Sequence, residues 1–349
     1  MLPLAEAPQS VCILRLSAIG DTCHVVPLVR SLQQAWPNTR LTWIIGRTEA
    51  RLMSLIEGVE FITVDKRATG AALRGLRRAL RGRRFDVLLH LQLALRASLL
   101  AACVPARVRL GFDRARAREL QWLFTNTRIA PRTREHVLDS FLGFAAALGL
   151  TTPQLRWDLP LPEAARAYAA RLIPAGERAL IISPCSSHAR RDWPALRYAA
   201  LAEHAHRRGL KVILCGGPSA REREVGSRIV AACAVPLVNQ IGQDTLPELL
   251  ALLARATALV APDSGPAHMA TMVGTPVLGL YAATNLARSG PYLSRQWCVD
   301  AYPTAARVFR GCEPEQLRWG RKIEEDGVME LISVAEAGAA LDRLLGARP

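Results

Sequence analysis

Short apolar runs alternate with longer amphipathic ones along most of the chain. Val11–Leu16, Leu41–Ile45, Phe61–Val64 and Val87–Leu91 read as buried strands. Each is followed by helical periodicity: to about Trp36, to about Gly58, through the arginine-rich stretch from Arg74 to Arg84, and over Leu95–Cys103. After the proline-bearing segment from Thr151 to Pro162 a second series begins, with strands at Ala179–Ser183, Leu210–Leu214, Pro236–Asn239, Ala258–Ala261 and Val277–Leu280. Strands apolar along their whole length and separated by helices belong to parallel sheets covered on both faces. The pattern predicts two doubly wound α/β domains, residues 1–160 and 161–349, with the last helix able to pack back on the first. In such sheets ligands sit outside the carboxyl ends of the strands, and with two domains the expected site is the cleft between them.

A length of 349 residues fits two cores better than one. Half the residues are hydrophobic, which excludes a disordered chain. No uninterrupted apolar run reaches the roughly 18 residues that a membrane helix needs, and the first twenty residues lack a basic start, with Glu6 and Pro8 breaking their apolar stretch. The expectation is a cytoplasmic protein without a span. The eight cysteines form no C-x-x-C pair and read as reduced core thiols.

Charge changes the picture more than composition does. The net charge is +15, and residues 1–150 hold 22 Lys and Arg against 11 Asp and Glu, while the remainder is nearly balanced at 23 against 19. The excess peaks at Arg74, Arg77, Arg78, Arg81, Arg83 and Arg84 and continues through Arg107, Arg109, Arg114, Arg116 and Arg118. Such a face suits a polyanion or an anionic membrane surface, or is simply a solvated arginine-rich exterior. Aromatics make up 5% of the chain and do not interleave with the basic region, so nucleic acid is not the expected partner.

Candidate chemistry falls at the predicted strand ends. Asp263-Ser264-Gly265-Pro266-Ala267-His268 follows one strand and opens a helix. Such a turn aims free backbone N–H groups at an anion, with Asp263 and His268 beside it, or else is a plain turn in which Asp263 caps the helix. Asp21, after Ser17-Ala18-Ile19-Gly20, stands at the start of the first long helix and fits either a cap or a general base. Ser186, Ser187, Arg190 and Arg191, closing on Trp193-Pro194, offer hydroxyls and positive charge to a diphosphate. Cys215-Gly216-Gly217-Pro218 leads to Glu222 and Glu224, either of which can accept hydrogen bonds from a ribose diol. Gly279–Thr284 ends a strand expected beside the Asp263 turn. No Asp-x-Asp and no metal-ligand spacing occurs, so a leaving diphosphate falls to helix N-termini and arginine.

Taken together, R-L-S-A-I-G-D at 15–21, F-D-V-L-L-H-L-Q at 85–92, R-L-G-F-D at 109–113, R-R-D-W-P at 190–194 and D-S-G-P-A-H-M-A followed by G-T-P-V-L-G-L-Y resemble the glycosyltransferase family 9 heptosyltransferases. The resemblance implies a GT-B fold, two facing Rossmann-like domains with a central cleft. The first domain would take the acceptor and the second the nucleotide sugar. It implies inverting transfer of L-glycero-D-manno-heptose from ADP-heptose to the lipopolysaccharide inner core, on Kdo or an earlier heptose, without a metal or other cofactor. Asp21 matches the family's base. Ser186, Ser187 and Arg191 match phosphate contacts, Arg191 standing where a lysine is common and Arg190 an alternative one residue away. Glu222, with Glu224 as alternative, matches the ribose ligand, and Asp263, Ser264, Gly265 and His268 match the diphosphate and sugar site. His136 and Arg114 are the acceptor-side candidates. The basic first half would then bind an anionic lipopolysaccharide acceptor and rest peripherally on the cytoplasmic face of the inner membrane. The competing readings are a GT-B transferase for another nucleotide sugar, and a non-catalytic nucleotide- or lipopolysaccharide-binding protein.

Overall fold

The computed structural model describes residues 2–66 and 68–347. The chain divides into two compact units, Met1–Pro160 and Leu161–Pro349. The first contains β1 (Ser10–Leu14), α1 (Ile19–Ala35), β2 (Arg40–Gly46), α2 (Arg47–Met53), β3 (Val59–Val64), α3 (Thr69–Ala79), β4 (Phe85–His90), α4 (Leu95–Ala102), β5 (Ala106–Gly111), β6 (Thr127–Arg128) and α5 (Val137–Leu148). Its sheet is parallel throughout in the order β3-β2-β1-β4-β5-β6. Every residue of β1 is buried, as expected for a central strand covered on both faces. On one face α3 and α4 bury Leu76, Leu80, Ala97 and Leu100 against Leu14, Ile44 and Leu88.

The second unit contains α6 (Glu163–Leu172), β7 (Ala179–Ile182), α7 (Ala195–Arg207), β8 (Lys211–Leu214), α8 (Ala220–Ala232), β9 (Val238–Asn239), α9 (Leu246–Arg255), β10 (Ala258–Pro262), α10 (Gly265–Met272), β11 (Val277–Tyr281), α11 (Leu286–Ser289), β12 (Val299–Asp300), α12 (Tyr302–Arg310) and α13 (Val334–Gly346). Its parallel sheet runs β12-β11-β10-β7-β8-β9, the same doubly wound order as the first. Trp193 anchors this core: its ring meets Tyr198 edge-on at 5.1 Å and its indole N–H donates to the Ile332 carbonyl at 2.9 Å. The last helix, α13, packs on α7 and β11 of its unit, burying Ala337, Leu341 and Leu344.

In each sheet the order reverses between the first and fourth strands of the unit, β1 and β4 or β7 and β10. The loops after those strands splay apart there and leave a crevice. Leu16–Asp21 and Gln92 lie at the first reversal, and Ser183–Arg191 and Asp263–His268 at the second.

The arginine surface needed correction. Arg109 is an internal brace, donating to the carbonyls of Phe124 at 2.9 Å, Val104 at 2.7 Å and Ala101 at 2.7 Å. Arg116 is turned inward onto Asp113 and Glu135 and donates to the Ala130 carbonyl at 2.9 Å. Both spend their donors on the protein, which removes them from the polyanion face. All eight cysteines are unpaired, with Cys12, Cys23, Cys185 and Cys215 buried.

Candidate functional site

In the first unit the end of β1 is fixed by Gln92, whose Oε1 accepts from the Leu16 N–H at 2.7 Å. Gln121 supports it from behind, donating to the His90 carbonyl at 2.9 Å and the Gln92 carbonyl at 3.2 Å. The chain then enters α1, and Asp21 falls in its first turn. Its Oδ2 accepts from the Ala18 N–H at 3.3 Å and closes an ion pair with Arg15. Arg15 is itself held, donating to the Leu91 carbonyl at 2.6 Å and lying 5.3 Å from the Phe141 ring. The Asp21 carboxylate therefore partly caps the helix, yet a third of its surface stays open to solvent. This geometry is compatible with both readings left open by the sequence.

The acceptor-side candidates differ from each other. His136 is buried at the N-cap of α5, its Nδ1 accepting from the Leu138 N–H at 3.1 Å, with the His24 ring edge-on at 5.2 Å. Arg114 is exposed, its guanidinium 5.8 Å from the Trp122 ring. A cavity of about 480 Å³ in this unit is lined by Asp113, Pro131, Arg132, Thr133, Glu135 and Asp139.

In the second unit β10 lies between β7 and β11, so the turn at Asp263 sits at the middle of the sheet. Ser264 is the N-cap of α10 by backbone position, but its side chain makes no capping bond, and its Oγ is buried without a hydrogen-bond partner among the described residues. Nor does Asp263 cap the helix. Its Oδ2 accepts from Ser289 Oγ at 3.1 Å, and its Oδ1 stands 3.7 Å from His268 Nε2. Burial raises the Asp263 pKa, but His268, the Thr284 hydroxyl and the charge of Arg191 outweigh it and hold the group below the ordinary carboxylate range. The plain-cap reading of this turn therefore gives way. The first N–H groups of α10 and one buried hydroxyl carry no side-chain acceptor, which is the arrangement an anion fills.

The loop after β7 brings Arg191 within electrostatic reach of Asp263. The Ser186 N–H donates to Asp192 at 2.6 Å and its Oγ donates to the His188 carbonyl at 2.9 Å, while Arg221 from α8 ties down both Asp192 and the Ser186 carbonyl. Burial raises the Asp192 pKa against these donors. Ser187 is exposed. The arginines separate clearly: Arg191 is buried and paired with Glu324 at 2.5 Å, whereas Arg190 lies outside, on Asp326 at 3.2 Å. Glu222 folds back on the end of β8, accepting from the Gly217 N–H and from Ser219 Oγ at 2.9 Å, while Glu224 points to solvent. A Cβ at Gly217 would stand 2.9 Å from Glu222 Oε1, so the glycine leaves room for the carboxylate against the backbone.

Two cations were missed in the sequence. Lys322 is exposed at its surface but within electrostatic reach of Arg191, Glu324, Asp263 and Arg288; desolvation first, then Arg191, lowers its pKa. Arg288 lies across Gly320, whose missing side chain makes space for it. Both lie outside the strand-end motifs, in segments that carry no periodic pattern. Among the described residues no group of three or more His, Cys, Asp or Glu is placed to hold a metal ion, and no helix is long and apolar enough to cross a membrane.

Comparison with known proteins adds a family. Residues 73–316 match the profile of glycosyltransferase family 9 (heptosyltransferase). The chain is 40% identical over 334 residues to the lipopolysaccharide core heptosyltransferase OpsX of Haemophilus influenzae, covering 95% of this chain and 96% of that one. The fold matches the glycosyl transferase family 9 protein of Veillonella parvula, with a TM-score of 0.80, 21% identity and 97% of each chain covered. It also matches the E. coli ADP-heptose lipopolysaccharide heptosyltransferase II, with a TM-score of 0.73, 21% identity, and 97% of this chain and 99% of that one covered.

Proposed function

Because the chain belongs to glycosyltransferase family 9, the heptosyltransferases, we propose that it transfers L-glycero-D-manno-heptose from ADP-heptose to the lipopolysaccharide inner core with inversion at C1. It is a glycosyltransferase of lipopolysaccharide core biosynthesis. The observation that carries the donor reading is the N-terminus of α10: no side chain caps it, the buried Ser264 hydroxyl lacks a partner among the described residues, and Arg191 and Lys322 stand nearby. A diphosphate accepts from all of these at once.

On this reading Glu222 accepts the two hydroxyls of the ribose, with Gly216 and Gly217 letting the sugar approach the backbone. Ser264, Gly265 and the α10 N-terminus hold the diphosphate, with Ser186, Ser187 and Arg191 on its other side. His268, kept in place by Asp263, donates to a phosphate or sugar oxygen. In the first unit Asp21 takes the proton of the acceptor hydroxyl as its oxygen forms a bond to C1. The C1–O bond to the β-phosphate breaks on the opposite face, and the electron pair leaves with ADP. The charge that gathers on the leaving oxygen falls on groups already aligned to receive it, where stabilisation is greatest. Arg114 and His136 lie on the acceptor side, and the basic first unit takes an acidic, lipid-borne acceptor at the cytoplasmic face of the inner membrane.

The test is reconstitution. Purified protein with ADP-heptose and a Kdo-bearing core acceptor should release ADP and add one heptose, whose anomeric configuration by NMR is opposite to the donor's. A preference for UDP or GDP sugars, or saturable ADP binding with no turnover on any core acceptor, rejects the assignment. The truncation point of the core in a strain lacking the protein then names the acceptor.

A further inference from the structure

We propose that the outer layer formed by α3, α4 and the turn Gln121–Phe124 is an interfacial docking surface for an anionic lipid bilayer. The proposal rests on the lipid-acceptor reading for its purpose, but its evidence is a separate surface. Residues 66–84 contain eight basic residues and no acidic one. In the fold α3 turns Leu76 and Leu80 into the core, which leaves Arg74, Arg77, Arg78 and Arg81 exposed on the outer side. Arg83 differs, being spent on Glu60 at 2.5 Å. Among the described residues no ion pair engages those four. A cluster of like charge without partners repels itself, and an anionic surface relieves that repulsion.

Charge alone fits any polyanion. The apolar neighbours narrow the choice. Helix α4 contacts both α3 and the turn Gln121–Phe124. It buries Ala97 and Leu100 but leaves Leu95 and Leu99, one turn apart, each 40% exposed. The adjoining turn exposes Trp122 at 38% and Leu123 at 58%. These side chains are held out by construction. Gln121 is fully buried and locked to the carbonyls of His90 and Gln92, while Glu119 and Leu120 adopt positive φ of 47° and 61°, a region that side chains disfavour. Glu119 accepts from the Leu95 N–H at 2.7 Å, which ties this turn to the start of α4. Arg114 lies over Trp122 and adds a further cation. Leucines and a tryptophan beside unpaired arginines match the boundary between headgroups and acyl chains, where aromatic and aliphatic side chains insert and arginines meet lipid phosphate.

The experiment is vesicle co-sedimentation of the full chain, with phosphatidylcholine alone and with a third of the lipid as phosphatidylglycerol. Binding should appear on the anionic vesicles and fall as salt is raised. Replacing Arg74, Arg77, Arg78 and Arg81 together by Glu should weaken it at least about tenfold. The separate variant Leu99→Ser with Leu123→Ser should weaken it on anionic vesicles at every salt concentration. ADP affinity, read in the same preparations, should stay as in the parent and shows that each variant is folded. Equal vesicle binding by parent and both variants overturns the proposal, as does binding that ignores lipid charge. A parent that ignores vesicles but forms dimers undone by the Leu99 and Leu123 changes overturns it in favour of a second copy. Loss of heptose transfer with vesicle binding intact counts against the transferase reading alone.

Discussion

Arg15 holds Asp21: its guanidinium closes an ion pair on the Asp21 carboxylate while its other arm is fixed to the Leu91 carbonyl. A carboxylate steered this way keeps one orientation while a third of its surface stays open. A base needs both. Removing the carboxylate in Asp21→Ala should cost about 10²- to 10⁴-fold in kcat, the range of a lost general base, with ADP affinity by calorimetry close to the parent's. Arg15→Ala should lower kcat by a smaller factor and leave ADP binding alone. Turnover retained in Asp21→Ala refutes the role.

Ser264 separates a cap from a ligand. A side chain that caps a helix stabilises it by about 1 kcal/mol, so losing the cap lowers the melting temperature. Ser264 makes no such bond, and its hydroxyl is buried without a partner among the described residues. Ser264→Ala should leave the melting temperature of the free protein unchanged or raise it, because an unsatisfied buried group is removed. ADP should bind roughly 10- to 150-fold more weakly, as expected for one lost hydrogen bond to a charged group. Scanning calorimetry with and without ADP reads both numbers, and a melting temperature that falls while ADP affinity holds returns the residue to a cap.

Burial separates the two members of each pair left open by the register, and each pair can be checked. Arg191 is buried toward Asp263 and Lys322, whereas Arg190 is exposed. Arg191→Ala should weaken ADP by about 10- to 100-fold, and Arg190→Ala by less than about twofold. Likewise Glu222→Gln should weaken ADP more than ADP-free ribose-less analogues such as pyrophosphate, while Glu224→Gln changes neither. Equal effects within either pair would place the ligand elsewhere.

The sheets were legible wherever a strand is apolar on both faces, as β1, β2, β4, β7, β8, β10 and β11 are. β5 escaped because Arg107 and Arg109 interrupt its apolar pattern, Arg109 being a partly buried brace that composition alone counts as surface charge. β6 and β12 are two residues each and close on a charged residue, Arg128 and Asp300, so no apolar run marks them. The candidate site was legible where it is local: Asp21, Glu222 and Asp263–His268 each lie on the connection from a strand into the first turn of the next helix. Lys322, Arg288 and Glu324 were not, because long irregular segments bring them to Arg191 and only the folded chain shows the meeting. The inward turn of His136 and Arg116 was hidden for the same reason.

Asp244 predicts how stability depends on pH. It precedes α9, one of its oxygens is buried without a partner among the described residues, and its pKa is pushed up to about 7, by burial first and then by the negative charges of Glu248 and Glu222. The unfolded chain releases this proton near the ordinary value of 3.8, the folded chain near 7. Between these values the folded state binds more protons than the unfolded one, so the contribution is full below about pH 4 and is lost as pH rises toward 7. The slope is at most about 1.4 kcal/mol per pH unit. Asp244→Asn abolishes it. Urea unfolding from pH 5 to pH 8 should show the variant gaining on the parent up to about pH 7 and then running parallel. Parallel curves over the whole range would mean that the folded protein carries this carboxylate ionised.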